Sequence, residues 1–351
     1  MAQIFVCCEL CRVYLVNSDY LKPSDCASWH QISCPKHFSI ARKSHSTDEK
    51  DHVNADRCQS DADIASTYGC LPPPELHNGW PFGLDWLTKL FRADAKMQLL
   101  PFLCTVADNY EPRNMLSQYL AVGPRAFHIL DPVNLEAVLS TKFGDYGFGV
   151  RDEVFAPLLG TGIFTQEGTA WKHSREMLRK QFVKTQYRSL EPFQEHVDNL
   201  IGQIRKERTQ PVDLLPLFFK LTLDTTTALL FGRSVYSLRA HRDVDKANVD
   251  FAEAFNEAQA GLAKRFRLAP WHCFYSPRKF KRACTVVHRF VEHYIEEQDQ
   301  RRSEAKENAD QASFINQLAS ESSDKQSLRD QLLNILLAGR DTTACCLSWT
   351  M

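Results

Sequence analysis

Near the end of this 351-residue sequence, Ala338-Gly339-Arg340-Asp341-Thr342-Thr343 interrupts residues that otherwise read as an apolar helix. Gly339 lowers helix propensity by about 1 kcal/mol relative to Ala. Asp341 and Thr342 put an acid and a hydroxyl where the pattern favours core. Thr hydroxyls bond to carbonyls three or four residues back and loosen a helix locally. Two readings are open. A gap beside Gly339 could hold a small ligand, with Asp341 and Thr342 relaying protons to it. Alternatively, the stretch is a polar interruption satisfied by neighbouring helices. A second pair, Trp171 and Arg175, lies four residues apart and so shares one helical face. An indole and a guanidinium together can hold a large planar ligand that carries a carboxylate. The other reading is a cation–π pair on a helix surface.

Other groupings are weaker. Lys172, His173, Arg179 and Lys180 surround that pair, but 42 Lys+Arg against 43 Asp+Glu leave a formal charge of -1, which argues against a nucleic-acid surface. Ser174 and His173 are adjacent and cannot face each other on a helix, which excludes a serine hydrolase. Gly160-Thr161-Gly162 lacks the strand–GxGxxG–helix context of a dinucleotide site. Gly144, Gly147 and Gly149 alternate with Phe143, Tyr146 and Phe148, as a mobile apolar lining or a turn-rich surface loop would. Cys8-x-x-Cys11 has no second pair at zinc spacing, and His30, His37, His45 and His52 share no face.

Mostly helices must position these residues. Leu214 to Leu230 is apolar nearly all round and predicts a central buried helix ended by Gly232. Tyr187, Leu190, Phe193, Val197, Leu200, Ile201 and Ile204 predict an amphipathic helix before it. Phe251, Ala254, Phe255, Ala258 and Leu262 mark another, and Phe280, Val287, Phe290, Val291 and Ile295 a longer one. That one runs into a charged stretch, Glu296 to Asp310, expected as a solvated face or loop. Ser327 and Asp330 suggest a capping box for the helix carrying Leu328, Leu332, Ile335, Leu336, Leu347 and Met351. No Gly, Asn or Pro closes that helix, so it reads as cut before its end. The β contribution is small: two short strands around Gly123-Pro124, then a helix capped by Asp131 with Pro132 at its first position.

At 44% hydrophobic and 24% charged, the composition excludes a fully disordered or collagen-like chain. No stretch reaches the roughly twenty apolar residues of a membrane span, and Glu9 and Arg12 interrupt the nearest, Ile4 to Val16. A conventional transmembrane anchor is not visible. Residues 1–68 read as an atypical, disordered leader. Residues 69–84, with Pro72-Pro73-Pro74, read as a proline-rich hinge, and residues 85–351 as the folded domain.

These motifs together resemble a cytochrome P-450. Gly160-Thr161-Gly162-Ile163-Phe164 through Trp171-Lys172-His173-Ser174-Arg175 is similar to that family's loop and helix C, whose Trp and Arg contact a haem propionate. Ala338 to Thr343 resembles its helix I. There the resemblance implies Ala338 and Gly339 beside the haem, and Asp341 and Thr342 as an acid–alcohol pair in proton delivery. With Asn78-Gly79-Trp80-Pro81-Phe82-Gly83, the likeness narrows to the fungal alkane and fatty-acid hydroxylases and covers residues 68–351.

It implies a mainly α fold with a small β portion, the N-terminal part of the cytochrome P-450 fold. It also implies a haem b iron centre, and an oxidoreductase inserting one oxygen atom from O2 into an aliphatic C–H bond. The substrate would be hydrophobic, the electrons would come from NADPH through a partner reductase, and the location would be the endoplasmic-reticulum membrane. The family's Glu-x-x-Arg helix and haem-ligating Cys loop would follow helix I. No metal ligand is therefore assigned, and Cys345 and Cys346 do not match the ligand motif. The 351-residue chain alone is expected to be inactive. The alternative is a non-catalytic remnant or a haem-free interaction protein.

Overall fold

The computed structural model describes residues 67, 73–76, 79–80, 83–96, 98–110, 115–119, 125–185, 191–206, 211–239, 245–269, 271–304, 314–321 and 324–351. The expectations for residues 1–66, Tyr187, Leu190, the Gly123-Pro124 turn and residues 305–310 lie outside these. The chain divides at Val150 into two compact units.

In the unit ending at Val150, α1 (Leu84–Ala95) and α2 (Leu99–Asp108) precede an antiparallel pair, β1 (Met115–Tyr119) and β2 (Arg125–Ile129). Alternation along the strands gives the pair two covered faces. Leu116 points into a cluster with Trp86, Leu90 and Leu99 of the helices. Met115, Phe127 and Ile129 point the other way and pack with Val138. Val138 follows α3 (Pro132–Glu136), where Asp131 caps as expected, its carboxylate accepting from the Asn134 N–H at 3.1 Å. The proline-rich stretch also contributes to the sheet. The Ser117 N–H donates to Pro74 O and the Leu76 N–H donates to Ser117 O, each at 2.8 Å, as a short parallel bridge along β1.

From Arg151 onward the unit is helical. Its elements are α4 (Arg151–Leu159), α5 (Gly168–Thr185), α6 (Glu191–Lys206), α7 (Leu214–Phe231), α8 (Lys246–Arg267), α9 (Arg278–Glu304), α10 (Phe314–Glu321) and α11 (Lys325–Thr350). The apolar spacings fall where expected. Phe218, Leu221, Leu223 and Leu230 of α7 are buried, and Gly232 ends that helix at φ 73°. Phe251, Phe255 and Leu262 of α8 meet Phe280, Val287 and Phe290 of α9, with the Phe251 and Phe290 ring centroids 3.9 Å apart. Gly261 permits that approach, since a Cβ there would come within 2.2 Å of Phe280. Among the described residues, α7 is the one helix long and apolar enough to cross a membrane. It packs along α11 and buries Asp224, which accepts from the Ser237 and Leu238 N–H groups at 2.6 and 3.1 Å.

α9 continues through much of the charged stretch, to Glu304, with residues 296–300 exposed or half-exposed as a solvated face requires. Two details differ from expectation. Val197 and Ile201 of α6 are over one-third exposed, so its apolar face is only partly covered. The cap of α11 is Asp324, whose carboxylate accepts from the Gln326 and Ser327 N–H groups, each at 3.1 Å. The helix therefore starts a turn earlier than a Ser327–Asp330 box requires, and Asp330 is free for another role.

Candidate functional site

α11 carries the Ala338–Thr343 stretch on its last turns and divides it between faces. On the side turned into the bundle, the Arg340 guanidinium is buried between the rings of Phe219 (4.8 Å) and Phe255 (5.4 Å). It donates to Asp341 Oδ1 at 2.9 Å, and to Gln259 Oε1 and Asn256 Oδ1 of α8. Gln259 Nε2 in turn donates to Asp341 Oδ2. Burial pushes the Asp341 carboxyl above the usual carboxylate range, while Arg340 and Gln259 pull the other way. Both Asp341 oxygens are thus engaged by neighbours. Arg340 and Asp341 satisfy the reading of this stretch as a polar interruption held by other helices.

The other side is open. Ala338 is half-buried, while Thr342, Cys346 and Trp349 are exposed; steps of three and four residues keep them on one strip. The Thr342 hydroxyl donates to Ala338 O at 2.7 Å, the back-bond expected of a mid-helix threonine. Gly339 leans toward α7, where a Cβ would stand 3.0 Å from both Cγ2 and Oγ1 of Thr226. Its missing side chain is used for close approach of the two helices.

On α5 the expected pair forms. The Arg175 guanidinium lies over the Trp171 ring, 5.4 Å from its centroid, with Trp171 half-buried and Arg175 exposed. The loop leading into α5 is fastened to α11 by residues that sequence reasoning missed. Asp330 Oδ2 accepts from the Thr161 N–H (2.9 Å). Gln331 Oε1 accepts from the Ile163 N–H (3.3 Å) and Asn334 Oδ1 from the Phe164 N–H (3.0 Å). Asn334 Nδ2 donates to Leu159 O at 3.0 Å, and Gln331 Nε2 donates to the Ser174 hydroxyl at 2.7 Å. Gly160 and Gly162 have no room for side chains, since a Cβ would stand 2.1 Å from Asp330 and 2.2 Å from Asn334. The two glycines are the trace of this contact in the sequence; nothing in the spacing of α11 announces it.

These residues have the chemistry that a haem edge and face would require. Arg175 is an exposed cation braced by an indole, suited to a propionate. The strip through Ala338 and Thr342 offers a small residue and a hydroxyl to a flat apolar ring. Among the described residues, no group of three His, Cys, Asp or Glu side chains is placed to hold a metal ion. Burial pushes the Cys284 thiol up to about 12, the reverse of what a thiolate ligand requires.

The family profile described as Cytochrome P-450 matches residues 83–351. A protein named Cytochrome P-450 from Arthroderma benhamiae is 40% identical over 298 residues, which is 84% of this chain and 55% of that protein. Cytochrome P-450 52A13 of Debaryomyces hansenii is 36% identical over 297 residues, 82% of this chain and 57% of its own length. Cytochrome P-450 52A5 of Candida maltosa is 42% identical over 228 residues, 63% of this chain and 43% of its own. The chain spans about half the length of the curated relatives it matches.

Proposed function

The chain belongs to the cytochrome P-450 family, and on that premise we propose that it carries the distal half of a haem-thiolate monooxygenase of the alkane and fatty-acid hydroxylase type. The observation that carries the reading is the division of one helical segment between faces, with Thr342 open beside Ala338 and Asp341 buried behind it. The haem, when bound, supplies the activation of dioxygen and the oxidation of an unactivated C–H bond.

This chain's residues do the rest. Trp171 and Arg175 are the residues that would hold a haem carboxylate. Ala338 would leave room for the ring beside it, and Gly339 lets α11 lie close to α7. The Thr342 hydroxyl holds a proton at Oγ1 on the open face. Asp341 is held as a paired acceptor by Arg340 and Gln259, so it would have to leave one of them and take up a proton from solvent before passing it on. Electrons reach the complete protein from NADPH through a partner reductase at the endoplasmic-reticulum membrane, and its substrates are long hydrophobic chains. The relatives named cytochrome P-450 52A13 and 52A5 support the family membership on which this assignment rests.

The test uses the protein translated from the native transcript, reconstituted with haem, an NADPH-dependent reductase and dodecanoic acid or hexadecane. The expected result is an alcohol product whose oxygen comes from dioxygen, and its loss in Arg175→Ala through weakened haem retention. A haem-loaded protein that turns over neither substrate would refute the substrate class. A native protein that retains no haem would favour the interaction-protein alternative.

A further inference from the structure

The buried polar face of α11 upstream of Asp341 has no part in the function just described. Asp330, Gln331 and Asn334 are each at most 1% exposed, an unusual burial for three polar residues within two turns. Each of the three gives one side-chain oxygen to a backbone N–H of the loop that leads to the Trp171–Arg175 pair. Asp330 and Asn334 bind the loop backbone at Thr161 and Phe164, and Thr165 closes the loop on itself, its hydroxyl accepting from the Gly162 N–H at 2.8 Å. Gln331 reaches further. Its Oε1 accepts from the Ile163 N–H and its Nε2 donates to the hydroxyl of Ser174, which is 3% exposed and donates to Gln166 Oε1 at 2.5 Å. Ser174 sits immediately before Arg175 and three residues after Trp171, so this bond holds the turn of α5 that carries the pair. Gln331 sits two turns before Ala338 on α11.

We propose that Gln331 and Ser174 are positioning residues that set the register of the Trp171–Arg175 pair on α5 against the Ala338–Thr342 face of α11, and so fix where a haem edge is held relative to the proton-bearing strip. The proposal rests on the haem reading above, but the geometry that carries it is independent of that reading. An apolar contact between two helices tolerates sliding by part of a turn. A two-ended amide that binds both a loop N–H and a helix hydroxyl does not, because displacement leaves buried donors and acceptors unpaired. Groups that orient direct ligands of a cofactor commonly change its affinity about tenfold to a hundredfold when removed.

The test uses the 351-residue chain labelled with 5-fluorotryptophan, its Trp171 fluorine resonance assigned by Trp171→Phe, and titrates the same samples with haemin. Gln331→Met keeps size and removes both Gln331 bonds; Ser174→Ala removes the bond from Gln331 and the one to Gln166; Ser174→Thr keeps the hydroxyl. Ile295→Val, a buried change in α9, is the control for general destabilisation. The expected result is a displaced Trp171 resonance and about tenfold weaker haemin binding in Gln331→Met and Ser174→Ala, with Ser174→Thr and Ile295→Val close to the parent. A Trp171 resonance unmoved in Gln331→Met overturns the proposal. So does a shift of equal size in Ile295→Val, which would mark general loosening. If the resonance moves as expected but the protein translated from the native transcript retains no haem, the register between helices stands and the haem reading falls.

Discussion

Replacing Gly160 by Ala should test how tightly the loop before α5 is seated on α11. Gly160 has φ +55°, where an L side chain costs about 1 kcal/mol. The added Cβ would stand 2.1, 2.2 and 2.4 Å from Oδ2, Cγ and Oδ1 of Asp330, far inside van der Waals contact. Asp330 cannot swing away cheaply. It is fully buried, accepts from Thr161, and receives Arg329 Nη2 at 2.7 Å and Nε at 3.0 Å, while Arg329 Nη1 also binds Glu292 at 2.6 Å. Displacing the carboxylate strands a buried donor at about 1–3 kcal/mol. The total expected loss is therefore about 2–4 kcal/mol. The assay is urea unfolding followed by helical circular dichroism, with slopes compared to confirm that the transition keeps its character. In an Asp330→Ala background the obstruction is gone, and the same Gly160→Ala change should cost only the backbone part, about 1 kcal/mol. The reasoning is refuted if Gly160→Ala costs equally in both backgrounds, because the double-mutant cycle would then show no coupling.

Arg340→Leu should lower stability by about 3–5 kcal/mol, read as a large drop in urea midpoint, because it leaves Asp341 buried without its cation; Arg340→Lys should recover only part, since a single ammonium cannot serve Asp341, Gln259 and Asn256 together. His128 is buried, its Nε2 lies 2.8 Å from Gln118 Oε1, and burial pulls its pKa from 6.5 down to about 4. Between those values the unfolded chain takes up a proton that the folded unit refuses, so stability should fall as pH is lowered through that window and level off below about 4. The loss should approach about 3 kcal/mol, and a His128→Gln variant should flatten this part of the curve. Gly339→Ala should be near neutral in urea unfolding, with about 1 kcal/mol of gained helix propensity offset by crowding against Thr226; in a Thr226→Ala background it should become stabilising by about that amount.

The parts of the fold readable in the sequence are those decided by local pattern. Leu214–Phe231 is apolar nearly all round and buries Phe218, Leu221, Leu223 and Leu230, and Phe251, Phe255, Val287 and Phe290 repeat at helical steps and meet across two helices. Trp171 and Arg175 met because four-residue spacing on a helix guarantees it. Tertiary hydrogen bonds left no such trace. Asp330, Gln331 and Asn334 look like ordinary polar helix residues, and only partners nearly 170 positions away make them core. The start of α11 was misplaced for a related reason. Asp324 and Ser327 are both good caps, and in the structure Asp324 takes the role. Within the candidate site, Asp341 and Thr342 were recognisable as an acid and an alcohol, but adjacency in sequence concealed that one is buried against α8 and the other open.

The short bridge of Pro74–Leu76 along β1 has a consequence for the chain as a solute. A two-stranded ribbon leaves an outer row of backbone donors and acceptors, a template on which another molecule's strand can grow. Here that side of β1 is taken by a segment that opens with Pro73 and Pro74, neither of which has an amide hydrogen to offer a newcomer. The prolines thus act as a terminator against edge-to-edge association, and replacing them with Val or Thr would be expected to raise the propensity of this unit to form fibrils while leaving its own hydrogen bonds in place.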